Sequence, residues 1–271
     1  MGAFYETIPK SLIQWILEQK VFWVATAPLS GAGHVNVSPK GGEDFGVLDD
    51  RTFWYMDLTG SGNETISHLL EPGNGRITIQ LNAFDGPPKI VRLYGHGRVL
   101  ENGTDAFASF VDTHKVNAIP GIRTIIIVDI HQVGSSCGFS VPYYDFKDFR
   151  PILNDFMAKK QKKFDEGKKE ESMDRYWAFK NAVSMDGLPG MQRGVAAGKR
   201  ESVAPIKKMV GPLAPTQYRP VQGYTAEQMM MVAVLAMVVG AGLVLCAPWL
   251  RDLVGILDAT VMRGVLSSTS K

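Results

Sequence analysis

Apolar and polar positions alternate over residues 76–83, where Ile77, Ile79 and Leu81 oppose Thr78, Gln80 and Asn82, and again over 89–100. Period-two alternation predicts strands with one face on a core. Residues 21–27 form a short apolar run of strand type, 34–38 alternate, 52–58 read as an aromatic-rich strand, and 123–133 as a long Ile-rich one. Helical spacing appears at 8–19, where Leu12, Ile13, Ile16 and Leu17 share a face and Pro9 suits a first turn. Shorter helices are expected at 63–70, capped by Asn63 or Ser61, and at 104–111. About six strands with few helices predict a closed antiparallel barrel, because closure removes exposed edges.

Past Asp148 the pattern changes. Phe149, Ile152, Leu153, Phe156 and Phe164 keep helical spacing amid KKQKK and EGKKEE, which predicts an amphipathic helix with a solvated charged face. A second helix is expected over 174–184, ended by Asp186-Gly187-Leu188-Pro189-Gly190. From 191 to 224 no period is sustained and Gly, Pro, Lys and Arg are frequent, which predicts a flexible linker. Residues 229–247 carry no charge. As a helix they would measure about 28 Å, the thickness of a hydrocarbon core, so one membrane span is expected, with Trp249 at the interface. The tail 249–271 reads as short and amphipathic. The expected organisation is therefore a barrel domain at 1–147, a helical extension packing on it at 148–190, a linker at 191–224, a transmembrane helix at 225–248 and the tail.

Twenty-nine basic residues stand against 27 acidic ones, a net charge of +2, which is too balanced for a nucleic-acid binder. The two cysteines make no disulfide framework, and neither they nor the five histidines show metal-ligand spacing, so no metal is expected. No Walker loop or dinucleotide fingerprint occurs. Gly134-Ser135-Ser136-Cys137-Gly138 fits the G-x-S-x-G spacing of a hydrolase elbow, but FSVPYY follows where that motif needs a helix. The start, MGAFYETIPK, lacks a basic segment leading into a long apolar run, so the barrel is expected in the cytosol. Basic residues flanking 229–247 (Arg219 before, Arg251 and Arg263 after) leave orientation open.

One stretch has positive chemical content: HVNVSPKGGEDFGVLDDRTFWYMDLTGSGNET, residues 34–65. Phosphate needs N–H donors, hydroxyls and a cation. Thr59, Gly60, Ser61, Gly62 and Asn63 can wrap an anion, since glycine lets the backbone approach closely. A helix starting near Glu64 would aim free N–H groups at it, with Lys40 supplying charge and Ser38 a hydroxyl. Glu64 is unfavourable there and must point away. The same residues also read as a polar hairpin tip before an ordinary capped helix.

The order of elements, together with HVNVSPKG, FWYMDLTGSGNETISHL, GRITIQLNAF and IVRLYGHGRVL, resembles the flavin-binding split barrels of the pyridoxamine 5'-phosphate oxidase type over residues 8–133. WAFKNAVSMDGLPG is similar to the end of fungal members. The resemblance implies a mainly β fold with peripheral helices, a six-stranded antiparallel split barrel, here followed by one C-terminal transmembrane helix. It also implies a homodimer with FMN at the interface. Carried over, the cofactor residues are Val37, Ser38, Lys40, Thr59, Ser61, Gly62, Asn63 and Thr65, with Gln80 and Asn82 reaching the flavin of the partner subunit. Two features depart from the oxidases: Asn63 and Glu64 stand where they carry a basic pair, and their C-terminal Arg-x-His segment is missing. Pyridoxamine phosphate oxidation itself is therefore not implied. The readings carried forward are a membrane-anchored FMN-dependent oxidoreductase of unassigned substrate and, as the alternative, a non-enzymatic homodimeric barrel holding a flavin or haem.

Overall fold

A computed structural model of the chain describes residues 2–212, 214, 230–231 and 233–237. The chain divides into two units, Met1–Val221 and Gln222–Lys271. In the first, the elements run β1 (Ala3–Tyr5), α1 (Lys10–Glu18), β2 (Val21–Thr26), β3 (Asn36–Gly41), β4 (Phe45–Asp49), β5 (Thr52–Leu58), α2 (Glu64–Leu70), β6 (Arg76–Asn82), β7 (Ile90–Glu101), α3 (Asp105–His114), β8 (Ile122–Ser136), α4 (Ile152–Asp165), α5 (Met173–Lys180) and α6 (Gln192–Glu201).

The strands form one antiparallel sheet in the order β3-β2-β6-β7-β8-β5-β4, with β1 paired to β8 beside that path. Alternation along the strands turns Phe22, Val24, Ile79, Leu81, Leu93 and Ile126 into one core, which Leu12 and Ile16 of α1 also enter. Each such side chain contributes about 1.5–3 kcal/mol by leaving water. Long β7 and β8 stay paired through a register shift at Tyr94/Gly95. A Cβ at Gly95 would lie 2.5 Å from the carbonyl oxygen of Asp129, so only glycine fits the bulge.

Three expectations are corrected. The sheet has eight strands rather than six, and β3 and β4 end its path without pairing to each other, so it is a half-barrel with an opening. Strand β4 escapes the sequence pattern because it is short and contains Gly46, where a Cβ would meet the Trp54 ring nitrogen at 2.6 Å. The expected linker is not featureless: α6 occupies 192–201, and residues 203–210 follow it, with the Ile206 N–H donating to the Phe179 carbonyl. The helix was hidden by its glycines, each worth about 1 kcal/mol of lost helix propensity. Packing explains Gly194, whose Cβ would sit 2.8 Å from the Trp177 carbonyl oxygen of α5.

Most of the expected span lies outside the described residues. Residues 230–231 and 233–237 are helical with exposed side chains. Among the described residues no helix is long and apolar enough to cross a membrane. The tail at 249–271 also lies outside them.

Gly194→Ala tests the packing of α6. In an isolated helix this change stabilises; here it should destabilise by about 1–3 kcal/mol, read as a lower urea midpoint. A raised midpoint would show that α6 does not lie so close to α5.

Candidate functional site

The aromatic strand β5 places Phe53, Tyr55 and Asp57 on one face, so the side of β5 that builds the core ends in a carboxylate. Asp57 is fully buried and accepts from three groups. Lys40 Nζ of β3 lies 2.7 Å from one oxygen; Arg123 Nε of β8 lies 2.7 Å from the other, which also takes the Thr124 hydroxyl at 3.4 Å. Burial pushes the Asp57 carboxyl up, but the neighbouring Arg123 and Lys40 outweigh it and bring it down to about 2. The three ionised groups carry a net charge of +1. Because β3 lies at one end of the strand order, the Lys40–Asp57 pair bridges the opening of the half-barrel.

A cavity of about 380 Å³ opens beside this triad. Its wall includes Asn36, Ser38 and Lys40 of β3, Asp44 before β4, the bend Gly60-Ser61-Gly62, Thr65 and Arg123, and also Glu64, which, contrary to expectation, does not point away from the corner. Arg123 Nη1 donates to the Gly62 carbonyl at 2.6 Å and so fixes the bend as well as Asp57. Asn36 Nδ2 donates to the Thr65 hydroxyl at 3.0 Å. Among the described residues no backbone acceptor takes the N–H groups of Gly60, Ser61 or Gly62, and a Cβ at Gly60 would meet nothing within 4 Å. The bend therefore has both space and donors. Asp44 adds a carboxyl raised by burial and then by Glu43.

Of the residues expected at the site, Ser38, Lys40, Ser61, Gly62 and Thr65 come together on this wall. Val37 does not: it points outward from edge strand β3. Thr59 is buried behind the bend, donating its N–H to the Gly121 carbonyl and accepting from Trp177 Nε1 at 2.9 Å. Asn63 is buried too, its amide donating to the Ser67 hydroxyl. Gln80 and Asn82 lie on β6 away from the cavity and contact each other. Helix α2 has seven residues with Glu64 in its first turn, so positive charge at the corner comes from Lys40 and Arg123 rather than from the helix end.

Asp57, Arg123, Asp44 and Asn36 were absent from the sequence-level set. A carboxylate inside TFWYMDL was a legible signal, since an acid on an apolar strand needs a partner. Arg123 carried none, because its role depends on β8 lying beside β5. No group of His, Cys, Asp and Glu among the described residues can hold a metal. The Gly134–Ser136 stretch lies in β8 and leads into an irregular arm, so the hydrolase elbow is excluded by structure as well as by sequence.

Asp57→Asn should lower stability by about 3–5 kcal/mol, because it leaves the buried Arg123 and the half-buried Lys40 without their counter-ion. In the unsubstituted protein the native carboxyl titrates below its unfolded value of about 3.9. Its contribution is thus complete above about pH 4 and lost as pH falls toward about 2. Urea titrations of both proteins across this range check both statements; equal midpoints at neutral pH would contradict them.

No family model matches the chain. Among curated proteins, the pyridoxamine 5'-phosphate oxidase family protein ustO of Aspergillus flavus is 40% identical over 205 residues, covering 70% of this chain and 78% of that protein. Among solved structures, HupZ of Group A Streptococcus is 20% identical with a TM-score of 0.37, over 46% of this chain and 91% of that one. The FAD binding protein from Mycobacterium smegmatis is 13% identical with a TM-score of 0.33, over 49% and 97%. On its identity to the Aspergillus protein and the share of that protein it covers, the chain belongs to the pyridoxamine 5'-phosphate oxidase family.

Proposed function

We propose that the protein binds a flavin, FMN, in the cavity beside Asp57 and acts as an oxidoreductase on a small substrate. The observation that carries this reading is one corner. Two cations, the half-buried Lys40 and the buried Arg123, flank a glycine bend whose N–H groups face no acceptor among the described residues. Such a corner suits a phosphate, and family membership favours a flavin as its bearer. When bound, the flavin supplies the electron and hydride chemistry.

The chain's own residues bind and orient. Lys40 and Ser38 offer donors on one wall, the bend and Arg123 on another. Asp44 is the candidate to carry a proton, since its carboxyl lies at the cavity wall and is raised by burial and then by Glu43. Pairing of two copies belongs to the same reading. Gln80 and Asn82 do not line the cavity of their own chain and would serve that of the partner. Residues 229–247 would anchor the protein to a membrane with the barrel in the cytosol.

Purified full-length protein should be yellow and release FMN on denaturation. Gly60→Asp brings a carboxylate into open space at the bend and should weaken FMN binding by about tenfold or more without unfolding the protein. Absorbance in the flavin bands, followed by mass identification of the released molecule, reads the result. Undiminished flavin in the variant would refute this pocket, and a flavin-loaded protein that no donor reduces under turnover would favour a non-enzymatic binder.

A further inference from the structure

The segment after α6 returns to the bend that the proposed function uses. Lys208 is largely buried; its ammonium donates to the Asn63 side-chain oxygen and lies 3.6 Å from Glu64 Oε1. Glu64 places a carboxylate at the bend itself: a Cβ on Gly62 would sit 2.5 Å from Glu64 Oε2. That carboxylate also accepts the Met185 N–H at 3.2 Å. An acid so placed repels any anion on the bend unless its charge is offset. Burial pushes the Lys208 ammonium down and Glu64 acts in the opposite direction, so the two groups sense each other.

Neighbouring contacts bring the whole extension to the same place. Asn181 Nδ2 donates to the Gly60 carbonyl at 2.9 Å, and Trp177 holds Thr59. At Gly190 a Cβ would meet the Asn63 amide nitrogen at 2.1 Å, so the backbone of this turn lies directly on the asparagine. Lys208 does not line the cavity. It acts through Glu64 and Asn63.

We propose that Lys208 is a positioning residue that cancels the charge of Glu64, so that the bend accepts a phosphate-bearing ligand only while the segment after α6 is docked. This rests on the flavin reading for the identity of the ligand, though not for the presence of an anion site.

The test compares Kd values for FMN and for riboflavin, which lacks the phosphate, in full-length protein and in Lys208→Met, Glu64→Gln and the double variant. Lys208→Met should weaken FMN about tenfold and leave riboflavin unchanged, and adding Glu64→Gln should restore FMN binding. Equal FMN affinity in Lys208→Met, a parallel loss of riboflavin, or no rescue by Glu64→Gln would overturn the proposal. Should Lys208→Met not fold, Glu64→Gln alone decides: tighter FMN binding with riboflavin unchanged supports the proposal, and unchanged FMN binding overturns it. If the unsubstituted protein binds neither flavin, calorimetry with inorganic phosphate replaces FMN. The same pattern there would uphold the role of Lys208 while the flavin reading falls, and absence of phosphate binding would remove both.

Discussion

The buried carboxylate of Asp57 is the constraint around which the rest is arranged. A half-barrel leaves its first and last strands without mutual hydrogen bonds, and β3 would otherwise be held along one side only. Lys40 reaches across to Asp57, and Arg123 meets the same carboxylate from β8. Removing all three groups together in favour of an apolar cluster would probe stability without the penalty of a stranded charge, because buried ion pairs are often no stronger than packed hydrocarbon. What such a cluster lacks is polarity at the opening. The triad keeps cations at the cavity wall that a solvent-exposed lysine would spread over many rotamers.

Much of the barrel was legible because its strands are amphipathic and its turns carry glycine. β5 falls on the expected residues, and β2, β6 and β7 within one or two of them. The pieces that escaped share a cause. Gly46 and Gly194 look like breaks in a one-dimensional pattern, yet each is there because a neighbour, Trp54 or the backbone at Trp177, occupies the space of a side chain. The site divides similarly. Ser38, Lys40 and the bend lie within one short stretch of sequence, and spacing alone grouped them. Arg123 and Lys208 come from distant segments, and only strand order and the docking of the extension bring them near.

The extension is consequently part of the site's construction. Glu101, at the end of β7, accepts the N–H groups of Gln192 and Arg193 and so caps α6 from the barrel side. Arg193 in turn binds Asp174 and both acceptors of Asn102 while lying over the Trp177 ring. The bend is thus held from both sides, by Arg123 and Gly121 of the barrel and by Trp177 and Asn181 of the extension.

Edge strand β3 carries Pro39, opposite Trp23 of β2. Proline has no amide hydrogen, and at an outer strand that missing donor falls where a stray strand from another molecule would try to attach. Lys40 follows it, and β4 at the other margin is only five residues long. An open sheet thereby carries edges that disfavour pairing with a strand of another molecule.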